Sequence, residues 1–350
     1  MAYTTINKHT AHFNTKLYTG NGTAIGSGGN AITGVGFQPD FTWIKSRSGS
    51  SRNHYLYDAV RGVEKRLMSN ESNAEATLDE SLEVFGTDGF TVGDHAHHNY
   101  PSETYASWNW KANGAGSTNT DGSVDSTVSL NTTAGFSIVK FNVGSSGGDI
   151  TVGHGLGVVP KVIMIKSLAD AYNWDIYHAS VVNSKRLILN TDATQSNSSY
   201  MSSTSPTSSV FTFKQTHYSS GADAIAYCFA EKVGYSKFGK YTGNGSTDGT
   251  FTYLGFKPSL VISKRTDSTA PWYMMTAKIS DSEGGNPLDR PLFANTNDDE
   301  NDGDNNVDLL SNGFKIRDTG THQNGSGATY VYMAFGQSIV GSNNVPCTAR

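Results

Sequence analysis

A chain of 350 residues with only 16% charged residues, 38 glycines and 11% aromatics has the composition of short strands joined by many turns. Gly and Asn accept turn conformations, while aromatic and β-branched residues suit a pleated surface. The net charge of −5 offers no basic stripe to neutralise phosphates and argues against nucleic acid as a partner. The longest apolar runs, such as Val158 to Ile165, are of strand length, far short of the roughly 20 residues that a membrane-spanning helix needs.

Taken from the N-terminus, residues 1–12 read as an extended polar arm. It lacks a basic region followed by an apolar core, so no secretory signal is expected. Residues 13–112 form a first unit with landmarks in a fixed order. A Gly36-Phe37-Gln38-Pro39 turn leads into an apolar strand ending at Lys45. An aromatic strand (Tyr55-Leu56-Tyr57) follows, then an apolar stretch closing on Asn70, a turn-borne Phe90 and a closing strand from Tyr105 to Trp110. The one helical candidate is acid-rich Asn73 to Val84. Its counterparts, Thr191 to Ser203 and Asn295 to Asn306, are too rich in Ser, Asn and Asp for a regular helix, so the region reads as a variable loop.

Residues 113–132, rich in Gly, Ser, Thr and Asn, read as a flexible joint. A second unit, residues 133–234, repeats the landmarks at Pro160 to Lys166, Trp174 to Tyr177, Leu187 to Asn190, Phe211 and Ile225 to Phe229. A third, residues 235–337, repeats them at Pro258 to Lys264, Trp272 to Met274, Leu292 to Asn295, Phe314 and Tyr330 to Phe335. It follows almost at once and opens on Lys240-Tyr241-Thr242-Gly243-Asn244-Gly245, an echo of Leu17-Tyr18-Thr19-Gly20-Asn21-Gly22. Units two and three are therefore expected to stack rigidly while unit one swings. Residues 338–350 form a tail.

Period-two runs such as Lys161 to Lys166 and Tyr330 to Phe335, separated by Gly/Asn/Ser turns, predict an all-β chain of three tandem antiparallel β-sandwiches. Pro39, Pro160 and Pro258 each read as sitting just before a strand, where the missing amide costs no ladder bond. Two cysteines, Cys228 and Cys347, exclude a disulfide framework and fit a reducing compartment. Cys228 alternates with Tyr227 and Phe229 and reads as a small core residue.

No catalytic signature is present. Gly-x-Ser-x-Gly is absent, and Asp58, Glu64, Asp88 and Asp94, the carboxylates of the first unit, have unlike counterparts in the second, His178 standing for Asp58. That pattern reads as surface drift on a repeated scaffold, and no enzyme is expected. Asp94-His95-Ala96-His97-His98 is the densest set of metal-capable side chains, echoed only by His217 and His322, and reads as a solvated turn. Asp298, Glu300 and Asp302 alternate as in a calcium loop, but Leu309 stands where the bidentate acid belongs and Asp308 is one place off. No cofactor is therefore expected, a looser Ca2+ site at those three residues being the one metal alternative. Aromatic rings stack on the apolar faces of sugars. Trp108, Trp110, Trp174 and Trp272 fall at repeat landmarks and read as core, whereas Tyr100, Tyr172, Tyr200 and Tyr218 lie in loops outside them and are the candidate ligand contacts.

The segments Asn53 to Gly62, Gly153 to Lys161, Tyr227 to Lys232, Asp308 to Lys315 and Val340 to Arg350 resemble a family of structural proteins encoded by marine bacteriophages, cyanophages among them. The likeness extends over essentially the whole chain. It implies lectin-like sandwiches of the concanavalin or jelly-roll kind and a place in the virion, assembled in the host cytoplasm. It also implies a tail fibre or tail-associated adhesin that contacts a host-surface glycan or protein. The alternatives are a capsid decoration protein and, from another class, a polysaccharide-degrading tail enzyme. A homotrimer is expected by analogy with fibres. Tyr3, Ile6, Phe13 and Val345, the apolar anchors near the two ends, are the expected docking residues toward other virion proteins.

Overall fold

The computed structural model describes residues 4–49, 51–197, 200–279, 286–300 and 307–337, and among these the chain is nearly all β, in antiparallel sheets. Each repeat builds one large and one small sheet. The large sheet of the first runs in the order Phe13–Thr19, Thr104–Trp110, Phe41–Ser46, Tyr55–Asp58, Gly62–Met68, Ala76–Thr77. Its small sheet holds Asn30–Thr33, Gly89–Val92 and Leu82–Gly86. The third repeat follows the same order with Ser236–Thr242, Thr329–Gln337, Lys257–Arg265, Tyr273–Thr276 and Leu292–Phe293, under Phe251–Tyr253, Gly313–Ile316 and Val307–Leu310. The second keeps it with Phe136–Asn142, Asp223–Phe229, Val162–Ser167, Asp175–His178, Lys185–Ile188 and Ser196–Asn197, under Asp149–Gly153 and Val210–Lys214. The three repeat prolines occupy equivalent places, but only Pro39 and Pro160 precede their strands: Pro258 is the second residue of Lys257–Arg265, opposite Gly336 and beside a register shift. Two residues after each, Phe41, Val162 and Leu260 pair with Trp110, Phe229 and Phe335 at the ends of the closing strands.

The central strands of each large sheet, such as Phe41–Ser46 and Val162–Ser167, are buried on both faces and read as near-continuous apolar runs, while outer strands such as Gly62–Met68 and Ser236–Thr242 are partly exposed. On the closing strands Tyr330, Tyr332 and Ala334 face the small sheet of their own repeat, as do Ala224, Ala226 and Cys228. The alternate residues Trp108, Trp110, Ile225, Tyr227, Phe229, Val331, Met333 and Phe335 share a single core with Phe41, Met164 and Ile262. Three sandwiches thus turn the backs of their large sheets onto one another. Burial raises the pKa of the Cys228 thiol, which sits in the second sandwich core with no exposure.

The seams repeat cyclically. The Glu75 amide donates to the Leu168 carbonyl at 3.0 Å, Gln195 to Thr266 at 3.0 Å and Glu300 to Arg47 at 2.9 Å, linking first to second, second to third and third to first. Trp174 Nε1 donates to the Met68 carbonyl at 2.7 Å and Trp272 Nε1 to Ile188 at 2.9 Å. His54, the counterpart in the first repeat, turns its ring toward the Phe293 carbonyl without a well-formed bond. A third cycle joins Tyr227 to Asp58 (2.7 Å), Trp108 to Thr276 (2.9 Å) and His178 to the Tyr332 carbonyl (3.2 Å). The Asn landmarks work from within each repeat. Asn70, Asn190 and Asn295 accept through Oδ1 from the amides of His54, Trp174 and Trp272, fixing the residues that reach across the seam.

This ring corrects several expectations. The first repeat is packed against both others and does not swing. The expected joint is structured: Ser117–Asn119 and Ser126–Asn131 extend the large sheet of the second repeat, and buried Asp40 accepts from the amides of Ala112 and Gly114 at 2.6 and 3.0 Å. Ile6 and Phe13 are 5% and 0% exposed in the shared core, so they hold the arm to the body rather than dock it elsewhere. Tyr3 and Val345 lie outside the described residues. Asn73 to Val84 is extended, not helical, because Glu75 pairs across a seam and Ala76–Thr77 and Leu82–Gly86 join sheets. The unlike residues Asp58 and His178 are not surface drift, since both are buried and each answers a different seam partner.

Buried histidines give the ring an acid limit. Burial drives the His178 pKa down to about 4, and its Nδ1 already accepts from the Ser180 amide at 3.1 Å; burial likewise holds His54 and His98 well below the usual value. The unfolded chain takes these protons near pH 6.5 and the folded chain does not, so stability is complete above that pH and falls as pH drops toward 4. His178 alone accounts for about 3 kcal/mol of that loss. The thermal midpoint is expected to fall steeply between pH 6.5 and 4.5, and His178→Gln, which can still donate to Tyr332, should flatten the dependence. An unchanged pH profile in that variant would remove His178 from the account.

Candidate ligand site

The second repeat breaks the pattern that the first and third share. In those two, the loop after the first strand is clasped by a buried Asn. Asn99 Oδ1 accepts from the Asn21 amide at 2.7 Å, and its Nδ2 donates to Asn21 Oδ1, the Gly93 carbonyl and the Thr23 carbonyl. Asn324 does the same with the Asn244 amide (3.0 Å), Asn244 Oδ1, the Asp318 carbonyl and the Ser246 carbonyl. Beside each clasp lies a stacked tyrosine pair, Tyr18 with Tyr105 and Tyr241 with Tyr330, at 4.9 and 4.8 Å between ring centres.

Strand register fixes what replaces them. Thr19, Asn142 and Thr242 pair with Thr104, Asp223 and Thr329. Counting outward, Gly144 stands where Asn21 and Asn244 stand, Tyr218 where Asn99 and Asn324 stand, and Ala224 where Tyr105 and Tyr330 stand. The small Ala224 leaves room for Tyr218 to turn inward, where it is 3% exposed and packs against Phe213 at 5.1 Å. With no Asn pair to fill it, the loop leaves a cavity of about 250 Å3. Gln215 and Tyr218 form its buried floor, Gly144 one wall, and Ser145, Gly147, Thr216 and Ser220 its rim. Gly144 has φ +70°, and a Cβ there would meet Gln215 Nε2 at 2.6 Å. Gln215 Oε1 is engaged by Ser146 Oγ (2.7 Å) and the Gly148 amide (2.9 Å), which fixes the amide orientation and leaves Nε2 without a protein acceptor among the described residues.

Behind Tyr218 the remaining groups converge. Its ring lies 5.2 Å from Tyr172 and 5.0 Å from His217, and Tyr200 lies 5.5 Å from His217. His217 Nε2 and Arg186 Nη1 each bond one oxygen of Asp175, which is 1% exposed. Lys166, also buried, donates to the carbonyls of Ser167 and Asp170, and desolvation lowers its pKa to about 8. Three of the four tyrosines picked from sequence therefore share one neighbourhood. Only Tyr172 of them is exposed, at 39%; Tyr200 is 3% exposed, so Tyr200 and Tyr218 are core-packed rather than free loop contacts. Tyr100 lies in the first repeat, 50% exposed, with the Arg52 guanidinium 5.4 Å over its ring.

Other candidates are engaged elsewhere. All four landmark tryptophans are buried. Glu300 is held by Arg47 through two bonds of 2.9 and 3.1 Å across the third-to-first seam, which removes it from a Ca2+ loop; Asp298 is exposed, and Asp302 lies outside the described residues. His98 is buried against Tyr57 at 2.9 Å and His97 stacks on Tyr55, so the histidine run is not a solvated turn throughout. Among the described residues no three His, Cys, Asp or Glu side chains gather as metal ligands. Asp88 caps a turn by accepting from the amides of Gly34 and Gly36, bonds that lower its pKa. Sequence reading missed Phe251 and Tyr253, exposed at 43% and 55% on an edge strand of the third repeat. The available signal was their absence from the matching strands Asn30–Thr33 and Asp149–Gly153.

No curated protein and no solved structure matches the chain. A profile described as a domain of unknown function, DUF7483, matches residues 8–338, one span that takes in all three repeats and the seams between them. The chain belongs to the DUF7483 family.

Proposed function

We propose that this chain is a non-enzymatic attachment protein of a virion, a tail fibre or tail-associated adhesin, and that its second repeat holds a host-surface glycan. The observation that carries the binding role is the replacement of the Asn clasp by Gly144 and Tyr218, which exchanges a filled loop for a cavity. Breaks in an otherwise consistent scaffold concentrate at functional sites. The place on the particle rests on the resemblance of segments such as Asn53 to Gly62 and Tyr227 to Lys232 to phage structural proteins. One chain arranges three sandwiches around a common core but carries the cavity in the second alone, so the homotrimer expected of a fibre is what would present three sites together. Multiplied copies on a particle would raise weak single-site affinity through effective concentration.

The test is binding of the full chain, clustered on beads, to host cells. Gly144→Asn, which suits a left-handed backbone, and Thr216→Trp at the exposed rim should each weaken binding at least tenfold while leaving the unfolding midpoint within a few degrees. Absence of binding above background, or equal binding by both variants, would sink the proposal. Copy number on purified particles decides between a few dozen tail positions and the hundreds expected of a shell protein.

A further inference from the structure

Resting on that reading of the cavity, we infer that its ligand is a single uncharged sugar ring, the terminal residue of a neutral glycan, rather than an acidic or sulfated one. The lining contains no side chain that carries charge at neutral pH: Gly144, Ser145, Gln215, Thr216, Tyr218 and Ser220 offer an amide, hydroxyls and backbone groups only. The Tyr218 phenol is held neutral, its pKa raised well above the usual value by burial and then by Asp175. The cationic groups nearby are committed elsewhere. Arg186 is bonded to Asp175, and the Lys166 ammonium to two carbonyls, so neither is free to pair with a carboxylate or sulfate. An anion seated on this floor would give up part of its water without gaining such a partner, whereas a neutral hydroxyl gives up less.

The one directional group in the floor is Gln215 Nε2. The residue is 6% exposed, its Oε1 is used twice, and Nε2 points at the Gly144 side of the cavity. Water reaches Nε2 through the open rim, and a ligand that presents a hydroxyl or ring oxygen there takes that water's place on the donor. The rim hydroxyls of Ser145, Thr216 and Ser220 both donate and accept, which matches sugar hydroxyls that do the same. Size sets the limit to one ring. The cavity, at about 250 Å3, falls below the roughly 300–1,000 Å3 that holds a drug-sized ligand.

The experiment is saturation-transfer NMR and titration calorimetry on the full chain. The probes are the methyl glycosides of glucose, galactose and mannose, set against glucuronic acid and N-acetylglucosamine 6-sulfate. At least one neutral glycoside is expected to bind at least tenfold more tightly than either acidic probe. Gln215→Glu, which keeps the bond to the Gly148 amide but removes the donor and adds charge, should weaken it tenfold or more, as should Thr216→Trp. Acidic probes binding as tightly as neutral ones, or neutral binding indifferent to both variants, overturns the inference. If cell attachment remains sensitive to Gly144→Asn while no neutral glycoside binds, the ligand class is wrong and the attachment site stands. If attachment ignores Gly144→Asn, the site itself fails.

Discussion

Asp58→Ala is expected to cost about 3–5 kcal/mol of folding free energy, the range for stripping one partner from a buried ion pair. Asp58 and Arg61 have side chains 0% and 1% exposed. The carboxylate takes the Arg61 guanidinium and the Tyr227 hydroxyl, while the rest of the guanidinium is spent on the carbonyls of Lys65 (2.6 Å) and Leu56 (2.9 Å) and on Glu75 at 3.2 Å. Without Asp58, Arg61 stays charged inside the first-to-second seam, with Glu75 its only remaining ionic partner among the described residues, and Tyr227 loses its acceptor. Asp58→Asn keeps an acceptor and should fall between the two. Guanidinium unfolding at neutral pH measures the difference; a loss under 1 kcal/mol would mean that the seam network is incidental.

Trp174→Ala should cost a comparable amount, about 3–5 kcal/mol, from lost burial and the cavity left behind. The indole is fully buried in the shared core, stacks near Tyr227 at 6.2 Å, and its Nε1 satisfies the Met68 carbonyl of the neighbouring repeat. Trp174→Phe separates the two contributions: most of the ring remains, and the orphaned carbonyl costs about 1–3 kcal/mol. Tyr172→Ala, two residues earlier but exposed, should stay within about 0.5 kcal/mol of wild type. Equal losses at Trp174 and Tyr172 would contradict the placement of the indole in a seam.

Much of the architecture was legible because short apolar runs bounded by turns announce strands. The runs ending in Lys45, Lys166 and Lys264 are of strand length, and their prolines mark the same register point in all three sheets. The ring was not legible. Three copies in a row look alike whether they hang as beads or close on themselves, and the distinguishing sign is subtle. Tyr330 to Phe335 is apolar at every position because both faces are covered, a pattern that sequence alone also gives to a strand between layers of other kinds. The supposed joint misled for a related reason. Its Gly and Ser serve sheet edges and turns, and Asp40, which fixes it, lies about seventy residues earlier in the chain.

The site was half legible. Tyr172 and Tyr218 stood out as aromatics that the other repeats lack; Tyr218 lines the cavity, and Tyr172 packs against its ring. The cavity did not stand out, because it depends on residues that are missing rather than present: Gly144 for an Asn, Ala224 for a Tyr. Those gaps become visible only when the strand register aligns the repeats residue by residue. Burial of Tyr218 likewise depends on the space left by a small side chain on a strand, which no loop composition reveals.

Hydrogen–deuterium exchange of the Asp58→Ala protein against wild type tests the closed ring most directly. The substitution lies in the first repeat, and the amides to watch are those of Thr329–Gln337, the closing strand of the third. If the three sandwiches share one core, those slowest amides open only by global unfolding and lose as much protection as Phe41–Ser46 beside the substitution. Protection lost across residues 13–112 and retained across 329–337 would show three independent sandwiches on a string.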